Sequence, residues 1–74
     1  METRDMVRMA NQISDFFKSY GRDEAIAGIA EHINKFWEPR MRRMFFAHLD
    51  AREPGFDELV VAAAATIKRP KTAT

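Results

Sequence analysis

Phe36-Trp37-Glu38-Pro39-Arg40-Met41-Arg42-Arg43 holds the only tryptophan of the chain, one of its three prolines and three arginines. Its reading decides the fold. A proline drives the residue before it out of the αR region and is itself well placed in the first turn of a helix. One helix therefore ends near Trp37 and another starts at Pro39. The stretch is a tight corner, with apolar anchors on the incoming side and a basic first turn on the outgoing side. A corner of this composition suits a docking surface better than an active site.

Working outward from the corner, apolar residues recur at helical spacing. Ile26, Ile29, Ala30, Ile33, Phe36 and Trp37 mark one face of the incoming helix. Asp23 is its predicted cap, and Glu24 suits the positive end of its dipole. Gly28 inside this helix costs about 1 kcal/mol relative to alanine, which a close helix–helix approach would explain. Upstream, Met6, Met9, Ile13, Phe16, Phe17 and Tyr20 predict a first helix over 4–20, with Thr3 as cap and Gly21 as stop. Downstream, Met41, Met44, Phe45, His48 and Leu49 predict an inward face for a third helix over 39–51. Pro54-Gly55 marks a turn. Asp57 then caps a short helix carrying Leu59, Val60, Ala63, Ala64 and Ile67. No period-2 alternation appears. The expected fold is all-α, a small bundle of three main helices plus a short C-terminal helix. The expected organisation is one domain over 1–69 and a disordered basic tail over 70–74.

Seventy-four residues bury a marginal core, and small domains often need a staple or a partner. The chain has no cysteine, hence no disulfide and no thiolate metal site. Its 46% apolar content is that of a globular protein. Twelve basic and eleven acidic side chains give a formal charge of +1, far from the strongly basic balance of a nucleic-acid-binding domain. Lys35, Arg40, Arg42 and Arg43 nevertheless cluster at the corner, and Lys68, Arg69 and Lys71 at the end. No apolar run resembles a signal peptide or a membrane span, so the expected location is cytoplasmic, with no membrane partner.

No catalytic residue is expected. Asp23, Glu24, Asp57 and Glu58 are accounted for by helix starts, and no serine or threonine stands at a spacing that pairs it with His32 or His48. No metal site is expected either, because the two histidines fall on different helices without further ligands. A helix-turn-helix reading of the third helix fails on its Met41, Met44, Phe45 and Phe46, which leave few base-reading side chains. Phe16-Phe17, Phe36-Trp37 and Phe45-Phe46 are adjacent pairs. Neighbours on a helix diverge by about 100°, so at least one of each pair should lie outside the core. Exposed aromatics together with arginine and methionine mark an interface. The expected partner interface is Phe36, Trp37, Pro39, Arg40, Met41, Arg42 and Arg43, with Asn11 and Gln12 contributing from the first helix. In this reading Trp37 anchors the corner and the three arginines meet carboxylates or carbonyls of the partner. The alternative is a small nucleic-acid-binding or homo-oligomeric helical protein.

Several segments resemble a known family. Val7-Arg8-Met9-Ala10-Asn11-Gln12-Ile13 with Phe16-Phe17, then Ala27-Gly28-Ile29-Ala30-Glu31-His32-Ile33 and Lys35 to Arg43, resemble the delta subunit of cytoplasmic NAD-dependent formate dehydrogenase. The likeness continues through Ala47-His48 and from Gly55 to Val60. It implies a non-catalytic accessory subunit with no cofactor of its own, linked to assembly, cofactor insertion or stability of the complex. In that family the catalytic alpha subunit carries a molybdenum or tungsten pterin cofactor and iron–sulfur clusters, and other subunits pass electrons to NAD through flavin. The resemblance implies contact with the alpha subunit. Exposed apolar surface implies homo-oligomers when the chain is isolated.

Overall fold

The computed structural model describes residues 2–70 and builds four α-helices. Helix α1 spans Thr3–Phe17 and tightens into a 3-10 turn over Lys18–Tyr20. Helix α2 spans Arg22–Phe36, α3 spans Pro39–Asp50, and α4 spans Glu58–Ala63 with a 3-10 turn over Ala64–Thr66. No strand occurs among the described residues. The all-α reading and the count of three main helices plus a short fourth both hold.

The corner forms as its sequence dictates. Trp37 and Glu38 are extended (ψ 128° and 155°), and Pro39 opens α3. The Trp37 amide closes α2 on the Ile33 carbonyl, and the Arg42 amide takes up the Glu38 carbonyl. The other helix starts differ in part from expectation. Glu2, not Thr3, is the cap residue of α1: its carbonyl accepts from both Asp5 and Met6. Gly21 adopts φ +90°, a conformation strained for other residues, and both ends the first hairpin arm and opens α2. Ala25 already bonds the Gly21 carbonyl at 2.8 Å, so Asp23 lies in the first turn beside Glu24, where the dipole favours an acid, and caps nothing. Asp57 does cap α4, accepting from the Leu59 amide.

Helices α1 and α2 form an antiparallel hairpin. A Cβ on Gly28 would lie 2.6 Å from the Phe17 ring. Gly28 therefore exists to admit that ring against the α2 backbone. Helix α4 packs on this hairpin, chiefly on α2, and α3 packs on α1. Met6, Ile29, Ile33, Phe45 and Val60 are fully buried, and Trp37, Phe46 and Ile67 nearly so. Phe45 is the hub: its ring meets Phe46 and Trp37 edge-on and lies 4.8 Å from Phe56. Each such side chain contributes about 1.5–3 kcal/mol by leaving water.

The buried row of α1 is Met6, Ala10 and Ser14, spaced i, i+4, i+8. Two of these three are small or polar, so hydrophobicity points to a face rotated away from the true one. Phe16 and Tyr20, expected inward, are 65% and 53% exposed, and Phe36 is 67% exposed. The pair Phe45-Phe46 breaks the expected pattern in the other sense, since both are buried. The Arg69 guanidinium caps the Phe46 ring at 4.2 Å, and Arg69 is held by two hydrogen bonds to Asp50. The Asn34 side chain grips the same segment, donating to the Thr66 carbonyl and accepting from the Lys68 amide. Lys68 and Arg69, at the end of the expected domain, are thus tied to α2 and α3. The expected tail falls, from Lys71 on, outside the described residues.

Candidate partner interface

The nine residues of the expected interface divide into two groups. Asn11 is turned to the protein's own loop: its amide donates to the Gly55 carbonyl and its oxygen accepts from the Asp57 amide, both at 2.8 Å. Trp37 is 6% exposed and belongs to the core. Arg42 donates from Nε to the Trp37 carbonyl and from Nη1 to the Lys68 carbonyl, so its fork is engaged within the chain. Met41 is half-buried against the core. Gln12, Phe36, Pro39, Arg40 and Arg43 remain exposed. Arg40 and Arg43 make no ion pair among the described residues.

Between α1 and α2, on the surface, lies an apolar groove of about 480 Å³. Met9, Ile13, Phe16 and Phe17 line it from α1, Trp37 closes it at the corner, and Gln12 and His32 are its polar members. The His32 ring stacks against Phe36, 4.9 Å between centroids, and so joins the exposed Phe36 to the groove. At the other end Phe16, Phe17 and Tyr20 form a cluster with centroids 5.0–6.2 Å apart. Gln12 and Trp37 both line this groove, while Asn11 and Arg42 do not. His32, Phe16 and Tyr20 were absent from the expected interface. The i, i+4 spacings His32–Phe36 and Phe16–Tyr20 were the available signal, because residues so spaced are neighbours on a helix.

The shifted ionisable groups lie elsewhere. The Ser14 hydroxyl donates to Asp57 at 2.6 Å and is the main cause holding that carboxyl below the usual range. Burial opposes it, while the Leu59 amide and Lys18 reinforce it. Arg22 lowers Glu58, and Arg69 lowers Asp50, each chiefly through a hydrogen bond. These pairs fasten α4 and the C-terminal segment, and none lines the groove. His48 Nε2 donates to the Pro54 carbonyl at 2.9 Å and sits edge-on to Phe56, a hydrogen-bonded residue at the core edge. Among the described residues no three His, Cys, Asp or Glu side chains gather as a metal site, and no helix is long and apolar enough to cross a membrane.

Comparison with curated proteins and with solved structures found no match. Comparison with protein families matches residues 5–64 to the NADH-dependent formate dehydrogenase delta subunit, FdsD. The matched stretch takes in the α1–α2 hairpin, the corner, α3 and α4. The chain belongs to the family of delta subunits of NADH-dependent formate dehydrogenase.

Proposed function

We propose that this chain is a non-catalytic, cytoplasmic accessory subunit. It docks on the catalytic alpha subunit of an NADH-dependent formate dehydrogenase and supports assembly, cofactor insertion or stability of the complex. Membership of the delta-subunit family is the observation that carries this reading. The exposed aromatics Phe16, Tyr20 and Phe36 beside an apolar groove support it, since contiguous exposed apolar surface marks interaction sites. Of the residues first expected at the contact, Gln12, Phe36, Pro39, Arg40 and Arg43 are the accessible ones. Asn11, Met41, Arg42 and Trp37 act from beneath, by fixing the loop and the corner on which the exposed ones stand. The test is a host lacking this chain. The catalytic subunit should then lose activity or accumulate poorly, and the chain supplied in trans should restore it. The isolated chain should show no formate oxidation. Full activity and yield in its absence would refute the accessory role.

A further inference from the structure

We infer that the face built by α3 and the C-terminal segment docks on a carboxylate-rich surface of the formate dehydrogenase complex. This rests on the accessory reading above and names the chemistry of its contact.

The sequence carries two basic clusters, one at the corner and one near its end, and the fold joins them. Asn34 accepts from the Lys68 amide at 2.7 Å, and Arg42 donates to the Lys68 carbonyl at 2.8 Å, so Lys68 is held between α2 and α3. Lys35 and Lys68 border one cleft. Arg69 lies over the Phe46 ring and pairs with Asp50. Arg43 stands one turn before Phe46 on α3 and Arg40 one turn before Arg43, each at a spacing of three residues that keeps them on one side of the helix. Lys35, Arg40, Arg43 and Lys68 are exposed. None of the four makes an ion pair among the described residues.

This face gathers Lys35, Arg40, Arg42, Arg43, Lys68 and Arg69 against Glu31, Glu38 and Asp50. Of the 12 basic and 11 acidic side chains, six basic and eight acidic are left for the rest of the chain. The near balance of the whole molecule therefore hides a segregation. At the opposite end of α2, Asp23 and Glu24 lie in the first turn, and Glu58 meets Arg22. A molecule polarised in this way turns its positive side to an acidic surface, which speeds encounter and fixes orientation. The planar forks of Arg40 and Arg43 match carboxylates in two-bonded geometry. Glu31 and Glu38 within the face repel a uniform polyanion such as nucleic acid, whereas a protein surface can place its carboxylates around them.

The experiment replaces the chain in its host by tagged variants, captures the complex through the tag at rising salt, and weighs the catalytic subunit retained. The variants are R40E/R43E, K35E/K68E and N34A, with R4E/R8E as control. Arg4 and Arg8 are exposed on α1, each beside an acid of its own, and give the same change in net charge. Circular dichroism of each purified variant checks that helix content is unchanged. R40E/R43E and K35E/K68E should each retain about tenfold less catalytic subunit at near-physiological salt, with a flatter salt dependence, and R4E/R8E should stay within about twofold. Asn34→Ala removes no charge but frees Lys68, so it should lower retention on its own and add nothing to K35E/K68E. Full retention by R40E/R43E and K35E/K68E, or equal loss in R4E/R8E, overturns the basic face as the contact. Nucleic acid captured in place of the catalytic subunit overturns the carboxylate-rich partner. Additive loss in the N34A/K35E/K68E variant overturns the role of the clamp. No catalytic subunit with the unsubstituted chain overturns the accessory reading itself, and these failures are distinguishable.

Discussion

Replacing Ser14 by alanine should destabilise the domain well beyond the loss of one oxygen atom. Ser14 is fully buried on α1, and its hydroxyl donates to Asp57 at 2.6 Å across 43 residues of chain. Asp57 in turn caps α4 through the Leu59 amide and lies 3.5 Å from the Lys18 ammonium. A hydrogen bond to a charged group contributes about 1.5–3 kcal/mol. Ser14→Ala leaves Asp57 its amide and its lysine, so the expected loss is near the lower limit, about 1.5–2 kcal/mol. In a domain of this size that lowers the thermal midpoint by roughly 6–15 °C. Asp57→Ala removes the same bond and the cap, and orphans the buried hydroxyl, for a loss of roughly 3 kcal/mol. The double variant should lose about 1.5–2 kcal/mol less than the sum, because the orphan is gone. Urea unfolding followed by circular dichroism at neutral pH measures all three. The pH dependence supplies an independent check. Asp57 has a folded pKa below its unfolded one, so its contribution is complete above the unfolded value and fades as pH falls through the folded value. Because Ser14 is the largest cause of that shift, the gap between wild type and Ser14→Ala should narrow from about pH 4 downward. A loss under about 0.5 kcal/mol, or a gap that does not narrow in acid, would refute this reasoning.

Three further predictions concern the scaffold. Gly28→Ala gains about 1 kcal/mol of helix propensity but displaces the Phe17 ring, and overpacking costs about 1–3 kcal/mol. It should destabilise by unfolding assay in the wild type and stabilise in a Phe17→Leu background; the same sign in both would contradict the close-approach account. Trp37→Ala should cost about 3–5 kcal/mol, whereas the neighbouring Phe36→Ala should stay within about 0.5 kcal/mol, a contrast that thermal melts resolve. Asn34→Ala should release the C-terminal segment. Amide exchange at Lys68, whose N–H bonds Asn34 at 2.7 Å, should then accelerate by about fivefold or more; unchanged exchange would remove Asn34 as the clamp.

Local signals in the chain carry most of the fold. Pro39 after Trp37-Glu38 places the corner, Gly21 the hairpin turn, Asp57 the start of α4, and Gly28 the close helix approach. Each acts through backbone stereochemistry or a hydrogen bond within a few residues. What depends on distant partners was less legible. The buried row of α1 contains Ala10 and Ser14, whose burial follows from the elements packed against α1, and for Ser14 from its bond to Asp57, rather than from their own hydrophobicity. Arg42 reads as a free surface cation until Lys68 presents it a carbonyl. Phe46 reads as exposed until Arg69 and Asp50 cover it. Trp37 illustrates the general difficulty. Its composition marks it equally as a core anchor and as an interface residue, and only the arrival of Phe45 against its ring decides between them.

The docking role is tested most directly by purifying this chain, tagged, from its native cells and weighing what accompanies it by native mass spectrometry. The account predicts an assembly containing the catalytic subunit of formate dehydrogenase and this chain in fixed ratio. Recovery of the chain alone, of its own oligomers, or of nucleic acid would contradict it.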